Sequence, residues 1–290
     1  MPDFKFLKYE GLGNDFILID QARVPVETGP VEARKLCDRR RGIGADGILL
    51  IVPPWSGEAH AGMRPHAGMR LLNADGSEAE MCGNGIRCLA KFLGDNDASL
   101  DEVLIDTAAG LKMCMLERDD EGVVRMVSVD MGAAGFDRSM VGMKGSGRFV
   151  DQTLEGIDEE LRFTAVSMGN PHLVTFAQLD RERMTQLGPK LENHREFPQR
   201  INAGFAQAMD DGVINLTVWE RGCGFTDACG TGACAATAAA CMTGIVEYDR
   251  PVRVKLPGGD LIITVVRDTG NVIMKGPATF VFHGEVHLDG

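Results

Sequence analysis

The sequence predicts an α+β fold of two pseudo-symmetric domains, each a mixed, strongly curved β-sheet or barrel around a central helix. Three observations favour it. Short apolar or alternating segments between glycine-rich turns indicate many strands and few helices. The order strand, turn, strand, helix, strand, turn, helix and further strands occurs twice, as in two diverged copies of one domain. In each copy a cysteine directly before Gly-x-Gly opens a helix, at Cys82 in the first and at Cys229 in the second.

The cleft between the two domains is the predicted place for an active site. Diverged copies tend to pack about a pseudo-twofold axis, which would set the two cysteine turns opposite each other, and clefts are favoured places for ligands. The segment 132–160 is rich in glycine and polar residues and is the predicted crossing between the halves. We expect an N-terminal domain at 1–130 completed by 277–290, which carries Cys82, and a C-terminal domain at 131–276, which carries Cys229.

The first half begins with a strand, a glycine turn and a second strand, followed by a helix over 31–41 after Pro30. Gly42–Gly47 then matches G-x-G-x-x-G, but a helix precedes it and a strand follows. This reverses the order that the dinucleotide fingerprint requires, so a helix-to-strand turn is predicted rather than a nucleotide site. After the helix that follows Cys82, strands dominate. The strands predicted in this half lie at 4–9, 16–20, 48–52, 69–72, 103–107, 111–117 and 123–130.

Residues 53–70 are predicted to be irregular. His60–Arg64 is repeated as His66–Arg70, and Pro65 separates the two copies. A loop or hairpin extension is favoured over a metal site, because no carboxylate or cysteine completes a ligand set.

The second half repeats this organisation. A short helix is predicted over 181–187, ending at Gly188 and Pro189. A long helix of small residues is predicted over 232–243. The strands predicted in this half lie at 162–167, 172–176, 213–220, 252–256, 260–266, 272–275 and 279–282.

Composition excludes several classes of function. The net charge of the 290-residue chain is -12, so a nucleic-acid groove is not expected. No apolar run approaches the roughly 20 residues that span a membrane, and the first residues lack a signal-peptide pattern, so we expect a cytoplasmic protein. The eight cysteines form no Cys-x-x-Cys pair, which argues against a metal site or a thioredoxin-like motif. Cys37, Cys114 and Cys241 are expected to be core residues.

The two cysteine turns suggest proton-transfer chemistry. A helix N-terminus carries unpaired N–H groups and partial positive charge, which should lower the pKa of a thiol and bind a carboxylate. Two such turns related by symmetry suit the inversion of a stereocentre next to a carboxylate. One thiolate would remove the Cα proton on one face while a thiol delivers a proton on the other, with Cys82 and Cys229 in these roles.

An ordered set of motifs resembles the diaminopimelate epimerase family over nearly the whole chain. Any single motif would not be specific, but the set is. The motifs are Lys8–Phe16, Gly42–Gly47, Asn73–Gly85, Ser167–His172, Trp219–Gly222 and Ala228–Ala233.

The resemblance implies an activity and residue roles. The family interconverts LL- and meso-2,6-diaminopimelate without pyridoxal phosphate or another cofactor or metal, in lysine and peptidoglycan precursor biosynthesis, and a homodimer is expected. Cys82 and Cys229 resemble its acid/base thiols. The groups similar to those that hold the reacting carboxylate are Gly83, Asn84, Gly230 and Thr231. The groups similar to those that bind the distant end of the substrate are Asn14, Asn73, Asn170, Asn202 and Arg221. Glu220 and His172 resemble residues that tune protonation and contact the substrate.

Three features depart from the family pattern. Some relatives carry glutamine where Gly47 stands, so one substrate contact is in doubt. The doubled His-Ala-Gly-Met-Arg stretch is not typical of the family. Cys223 stands where a small residue such as alanine is more usual, and its thiol could be an oxidation partner for Cys229.

Two other functions stay open at this point. A two-cysteine racemase of proline or hydroxyproline would use the same thiols but has little use for the distal asparagines and Arg221. A non-catalytic binding protein of the same fold is disfavoured because both thiols are kept. A thiol redox role is weaker still, since no Cys-x-x-Cys pair exists.

Overall fold

The computed structural model of the protein describes residues 4–24, 28–55, 60, 62–209 and 212–286. Within this part the chain divides into two compact units. The first takes Met1–Val129 with Gly276–Gly290, and the second takes Asp130–Lys275. None of the helices in the described residues is both long and apolar enough to cross a membrane.

Strands outnumber helices in both units. The elements up to residue 141 are β1 Phe4–Gly11, β2 Asn14–Asp20, a 3-10 turn Gln21–Arg23, α1 Pro30–Cys37, β3 Gly47–Val52, β4 Ala67–Asn73, β5 Glu78–Ala79, α2 Gly83–Asn96, β6 Glu102–Thr107, β7 Gly110–Arg118, β8 Val124–Ala133 and a 3-10 turn Arg138–Val141. The later elements are β9 Thr164–Ser167, β10 Pro171–Thr175, α3 Arg181–Glu192, β11 Asn202–Ala208, β12 Ile214–Glu220, β13 Gly224–Thr226, α4 Gly230–Met242, β14 Val252–Leu256, β15 Gly259–Val265, β16 Asn271–Pro277 and β17 Thr279–Val286.

The same pairing scheme occurs in each unit. In the first, β1 pairs antiparallel with β2, β2 parallel with β3, β3 antiparallel with β4, β4 parallel with β6, and β6 antiparallel with β7. In the second, β9 to β12, β14 and β15 repeat these directions in the same order. The prediction of a repeated α+β unit is therefore confirmed. Of the two predicted forms, a curved sheet or a barrel, the described pairings give the curved sheet, because they do not close.

A central helix packs on each sheet, as predicted. α2 contacts β1, β6 and β7, and α4 contacts β9, β10 and β15. α4 is built of small residues that are almost wholly buried, so strands on several sides approach its backbone closely. In the second unit a separate apolar cluster forms around Phe163, Leu187 and Phe205. These cores fix the strands from which the cysteine turns project.

Helix α1 is shorter than predicted. It ends at Cys37, whereas the sequence predicts a helix to Arg41. Asp38 Oδ1 accepts the N–H groups of Arg40 and Arg41 at 2.7 and 2.9 Å. This local turn competes with helical hydrogen bonding and stops the helix.

Helix α3 is longer than predicted. It continues through Gly188 and Pro189 to Glu192, so the predicted stop at this pair is wrong. A Cβ at position 188 would lie 2.5 Å from Cδ2 of Trp219. The glycine therefore serves a close helix–strand contact rather than a left-handed cap.

Three strands, β5, β11 and β13, and the early start of β4 are absent from the sequence prediction. β11 is rich in alanine and glycine, which carry little strand preference. β4 begins at Ala67, inside the second copy of the doubled stretch, while His60 and Met63 of the first copy form an isolated bridge. Residues 56–59 and 61 of this segment lie outside the described residues.

The turn after α1 supplies a test of close packing. Gly42 N–H donates to Asp38 O at 2.8 Å, and a Cβ at this position would lie 2.2 Å from Lys35 O and 2.6 Å from Leu36 O. Because backbone must move to admit a methyl group, we expect Gly42→Ala to lower the free energy of unfolding by about 2 kcal/mol or more.

Urea unfolding followed by circular dichroism measures this loss. Gly204→Ala is the control, because its Cβ would meet nothing closer than Val174 Cγ2 at 3.5 Å. Equal unfolding midpoints for the two variants would contradict the packing argument.

Candidate active site: two cysteine turns

In the first unit, Cys82 is the N-cap residue of α2. Its extended backbone directs the thiol back over the first turn, where the N–H of Gly85 donates to Sγ at 3.5 Å. The thiol in turn lies 3.8 Å from Oδ1 of Asn14. The side chain is partly exposed. The predicted helix-start thiol is therefore in place, and a side-chain amide lies beside it.

A network of charged and amide groups fixes Asn14. Its Nδ2 donates to Asp46 Oδ2 at 2.7 Å, and its Oδ1 accepts from Asn84 Nδ2 at 3.4 Å. Arg39 bridges Asp46 and Asp15, with its Nη2 2.8 Å from Asp46 Oδ1. Burial by itself would raise the pKa of Asp15, but hydrogen bonds and charge from Arg39 and Lys8 outweigh it and lower that pKa to about 2. Gly42–Gly47 is thus a turn that presents Asp46 to Asn14, not a phosphate loop.

Arg87 stabilises the start of α2 by hydrogen bonds. It is fully buried, and its guanidinium donates to Gly83 O, Asn84 Oδ1 and Pro277 O at 3.0, 3.0 and 3.1 Å. These bonds orient the amide of Asn84 next to Asn14. Sequence reasoning gave Arg87 and Asp46 no role. For Arg87, the available signal was its position one helical turn after Gly83.

The other predicted residues of this unit lie near the same edge of the sheet. Asn73 ends β4, where its Nδ2 donates to Ser77 Oγ at 2.9 Å, and its backbone pairs with that of Gly47. A Cβ at position 47 would lie 2.8 Å from Leu72 O. A glutamine here would therefore require the neighbouring backbone to move.

In the second unit, Cys229 is the N-cap residue of α4. It is 5% exposed, and its Sγ lies 3.7 Å from Oγ1 of Thr231. Gly232 leaves room for this thiol, because a Cβ at Gly232 would lie only 3.1 Å from Sγ. The same device therefore occurs in both units, but the second thiol is much more enclosed.

The protonation of Cys229 differs from the sequence expectation. Burial and the neighbouring charge of Glu220 raise the pKa of the Cys229 thiol well above its usual range, although Thr231 and the N–H of Gly232 act in the opposite direction. The expectation that a helix start lowers the pKa is wrong here, because desolvation outweighs the helix-end charge. The raised pKa favours the protonated form of the Cys229 thiol.

His172 lies behind the second turn as a neutral group. It is buried on β10, with Nε2 3.0 Å from Asn170 Oδ1 and 3.2 Å from Thr231 Oγ1. Asn170 also donates to the same hydroxyl at 3.2 Å. Burial, and less so the charge of Arg221, lower the pKa of His172 to about 3. The histidine therefore orients Asn170 and Thr231 without carrying charge.

Asn202 and Arg221 lie in the same unit as the second cysteine turn. Asn202 is buried, its Nδ2 donates to Pro171 O at 3.0 Å, and its Oδ1 accepts the N–H of Arg221 at 2.8 Å. Both the nitrogen and the oxygen of its amide are therefore bonded to backbone groups. Arg221 is exposed and donates through NH1 to Gln199 O at 3.0 Å. Asn202 is placed to position Arg221, which leaves the guanidinium to meet a ligand.

The structure brings the predicted residues together in two groups. The first contains Asn14, Cys82, Gly83 and Asn84, with Asn73 nearby at the end of β4. The second contains Asn170, His172, Asn202, Glu220, Arg221, Cys229, Gly230 and Thr231. Cys223 lies in the exposed turn after Arg221. Among the described residues, no group of histidine, cysteine, aspartate and glutamate could hold a metal ion.

The raised pKa of Cys229 leads to a test. Glu220→Gln removes the negative charge that raises this pKa, so at pH 8 a larger fraction of the thiol should ionise. Because each pKa unit changes the thiolate fraction about tenfold, we expect alkylation by iodoacetamide to speed up roughly threefold or more.

Mass spectrometry of the Cys229 peptide measures the rate, in a background with Cys82→Ala and Cys223→Ala. Asp227→Asn removes an exposed carboxylate close in sequence and should leave the rate unchanged. A rate in Glu220→Gln equal to that in the control would show that Glu220 does not hold the proton on Cys229.

Comparison with known proteins identifies the family of this chain. The family model described as Diaminopimelate epimerase matches residues 6–136 and 164–281. The chain is 40% identical over 290 residues to the diaminopimelate epimerase of Bacillus cytotoxicus, covering 98% of this chain and 97% of that protein. It is 45% identical over 285 residues to the diaminopimelate epimerase of Pelotomaculum thermopropionicum, covering 97% and 98%.

A solved structure shares the fold at much lower identity. The hydroxyproline epimerase of Agrobacterium vitis, with bound trans-4-OH-L-proline, matches with a TM-score of 0.68 at 17% identity, covering 99% of this chain and 91% of that chain. At this identity the likeness concerns the fold alone. The sequence matches over nearly the full length are the stronger finding, and they show that the chain belongs to the diaminopimelate epimerase family.

Proposed function

We propose that this protein is an isomerase that converts LL-2,6-diaminopimelate to meso-2,6-diaminopimelate by inverting one Cα, without a cofactor. The reaction belongs to lysine and peptidoglycan precursor biosynthesis. The observation that carries the proposal is the pair of N-cap cysteines in equivalent positions of two repeated units, in a chain 40% identical to a diaminopimelate epimerase over nearly its whole length.

The proposed reaction uses the two thiols in opposite roles. One cysteine, as thiolate, takes the Cα proton, so the C–H bond breaks, an S–H bond forms and the electron pair passes into the adjacent carboxylate. The other cysteine, as thiol, gives its proton to the opposite face of the carbon. The reverse reaction exchanges the roles. Cys229, held protonated by burial and Glu220, is suited to donate, and Cys82 is then the base for that direction.

The helix starts supply the electrostatic part of catalysis. We propose that N–H groups at Gly83, Asn84, Gly230 and Thr231 bind the reacting carboxylate and stabilise the charge that develops on it. Gly83 and Gly230 are the first residues of α2 and α4, where backbone N–H groups have no helical partner. A preorganised set of donors needs no rearrangement when the proton leaves.

The distal end of the substrate is the proposed source of specificity. The exposed guanidinium of Arg221 suits a carboxylate because its planar fork can pair with both oxygens. Asn14, Asn73 and Asn170 offer amide groups to the distal amino acid, and Asn202 acts through the backbone of Arg221. A racemase of proline-type substrates would not need this set.

Isotope exchange tests the proposal. The reduced protein is incubated with LL-diaminopimelate in deuterated water, without pyridoxal phosphate. We expect deuterium at one Cα and formation of the meso isomer, while trans-4-hydroxy-L-proline exchanges no faster than without protein. Cys82→Ala or Cys229→Ala alone should reduce net epimerisation by about 10³-fold or more, since each thiol is needed for one proton.

Cys241→Ala is the matched control for these variants. It removes a thiol buried in α4 away from the cysteine turn, and it should keep turnover within about twofold. Near-normal turnover in either Cys82→Ala or Cys229→Ala would sink the two-base scheme. Exchange of hydroxyproline but not of diaminopimelate would favour the racemase instead.

We further propose that the protein works in the cytoplasm as a homodimer. Both thiols must stay reduced, and the cytoplasm keeps thiols reduced. On β17, three successive large apolar side chains are exposed, at 41% for Phe280, 49% for Val281 and 44% for Phe282. Such a patch on a strand is the proposed contact with the second copy.

The mass in solution tests the homodimer. Light scattering after gel filtration should give the dimer mass for the wild type at micromolar concentration and the monomer mass for Phe282→Asp. Met140→Asp changes another exposed apolar side chain, 54% exposed, and should leave the dimer intact. A monomeric wild type would refute this part of the proposal.

A further inference from the structure

A carboxylate outside both cysteine turns holds the turn that carries Glu220 and Arg221. Glu192 is the last residue of α3, and its side chain is only 8% exposed. Its Oε2 accepts the indole Nε1–H of Trp219 at 2.7 Å, and its Oε1 accepts the N–H of Gly222 at 2.9 Å. Trp219 and Gly222 are the residues on either side of the Glu220–Arg221 pair, so one side chain fixes both ends of this short turn.

The turn depends on such anchors because Gly222 is conformationally free. Its φ of 80° lies in the left-handed region, which glycine enters without strain. The hydrogen bond at its N–H therefore fixes one end of the turn, while Asn202 Oδ1 holds the N–H of Arg221 at 2.8 Å. The other anchor is rigid, since the ring of Trp219 packs edge-on against Phe225, with centroids 4.9 Å apart, and lies directly over Gly188.

Glu192 holds these donors as a charged group. Burial would raise its pKa, but the hydrogen bonds from Trp219 and Gly222 and the charge of Arg200 outweigh it, and the net pKa is lowered. Hydrogen bonds to an ionised acceptor are roughly twice as strong as neutral ones. Arg200 is a minor partner, since its NH1 is 3.4 Å from Oε1 and its side chain is 56% exposed.

We propose that Glu192 is a positioning residue, whose carboxylate clamps Trp219 and Gly222 and thereby directs Glu220 towards Cys229 and Arg221 towards the distal carboxylate of the substrate. This inference deepens the proposed function and rests on it for the substrate. Glu220 and Cys229 both belong to the second unit. The alkylation rate of Cys229 reports their contact without catalytic turnover.

Glu192→Gln is the central variant. A glutamine of the same shape turns an NH₂ group towards one of the two donors, so one hydrogen bond of the clamp is lost. We expect KM for LL-diaminopimelate to rise about tenfold or more, the factor that a lost hydrogen bond to a charged group corresponds to. We also expect alkylation of Cys229 to speed up roughly threefold, in the Cys82→Ala and Cys223→Ala background, because Glu220 moves away from the thiol.

Trp219 fluorescence reports the clamp directly. The sequence has two tryptophans, so Trp55→Phe leaves Trp219 as the single emitter. In that background the emission maximum should shift in Glu192→Gln, and it should stay at the wild-type position in Arg200→Ala. Arg200→Ala should also keep KM and the alkylation rate within about twofold of wild type, because its bond to Glu192 is long and exposed.

If the glutamine variant unfolds, Glu192→Asp provides a second variant in which KM can be measured. Aspartate keeps the charge but is one methylene shorter, so it reaches one donor and not both, and we expect an intermediate KM. The inference is overturned if a folded Glu192→Gln or Glu192→Asp protein matches Arg200→Ala in KM, alkylation rate and emission. If the wild type does not act on diaminopimelate, the alkylation and fluorescence measurements still decide the role of Glu192.

Discussion

The arrangement of both cysteine turns depends on one constraint, the position of a cysteine at the N-cap of each central helix. An N-cap residue has an extended backbone, so its side chain turns back over the unpaired N–H groups of the first turn. The glycines at 85 and 232 allow this arrangement for a packing reason. A Cβ there would lie 2.9 Å from Leu49 Cδ2 in the first unit and 3.0 Å from Val218 Cγ2 in the second. The sheet therefore presses on the helix start and holds the thiol in place.

The two cysteine turns have the same backbone arrangement but differ in the charge of the neighbouring side chains. Cys82 lies beside the neutral amide of Asn14, and Cys229 lies beside the carboxylate of Glu220. The strand registers show where the copies diverged. Gly47 pairs with Phe16 in the first unit, as Asn202 pairs with His172 in the second, so a glycine stands where the other copy has an amide. Similar thiols in unlike surroundings suit a reaction in which one must give a proton while the other takes one.

Much of the site could be predicted because its chemistry is local in sequence. The cysteine, the glycines after it and the helix that follows form one continuous segment, so Cys82 and Cys229 with their turns were visible without a structure. The repeated order of elements was visible for the same reason. The end of α1 was not visible, because it depends on hydrogen bonds to the side chain of Asp38. The continuation of α3 was not visible either, because Gly188 packs against the ring of Trp219, which lies on a strand distant in sequence.

The supporting residues could not be predicted because their partners are distant in the chain. Asp46 meets Asn14 through a parallel strand pairing, and Glu192 at the end of α3 meets Gly222 in the turn after β12. The protonation of Cys229 also escaped the sequence, since helix position alone suggests a lowered pKa and only burial reverses it. Local motifs thus identify the candidate reacting groups, while the fold determines their charge and orientation.

The buried cations of α2 have a consequence for how the two halves can evolve or be recombined. Arg87 and Lys91 are almost wholly buried, and Lys91 donates to Val124 O at 2.6 Å and pairs with Asp95 at 2.8 Å. α4 buries only small, uncharged residues. A chimera that replaced α2 by the sequence of α4 would take these donors away from the carbonyl groups of Val124 and Pro277, and the reverse exchange would force two cations into an apolar shell. The central helices of the two units are therefore no longer interchangeable, although each begins at a cysteine.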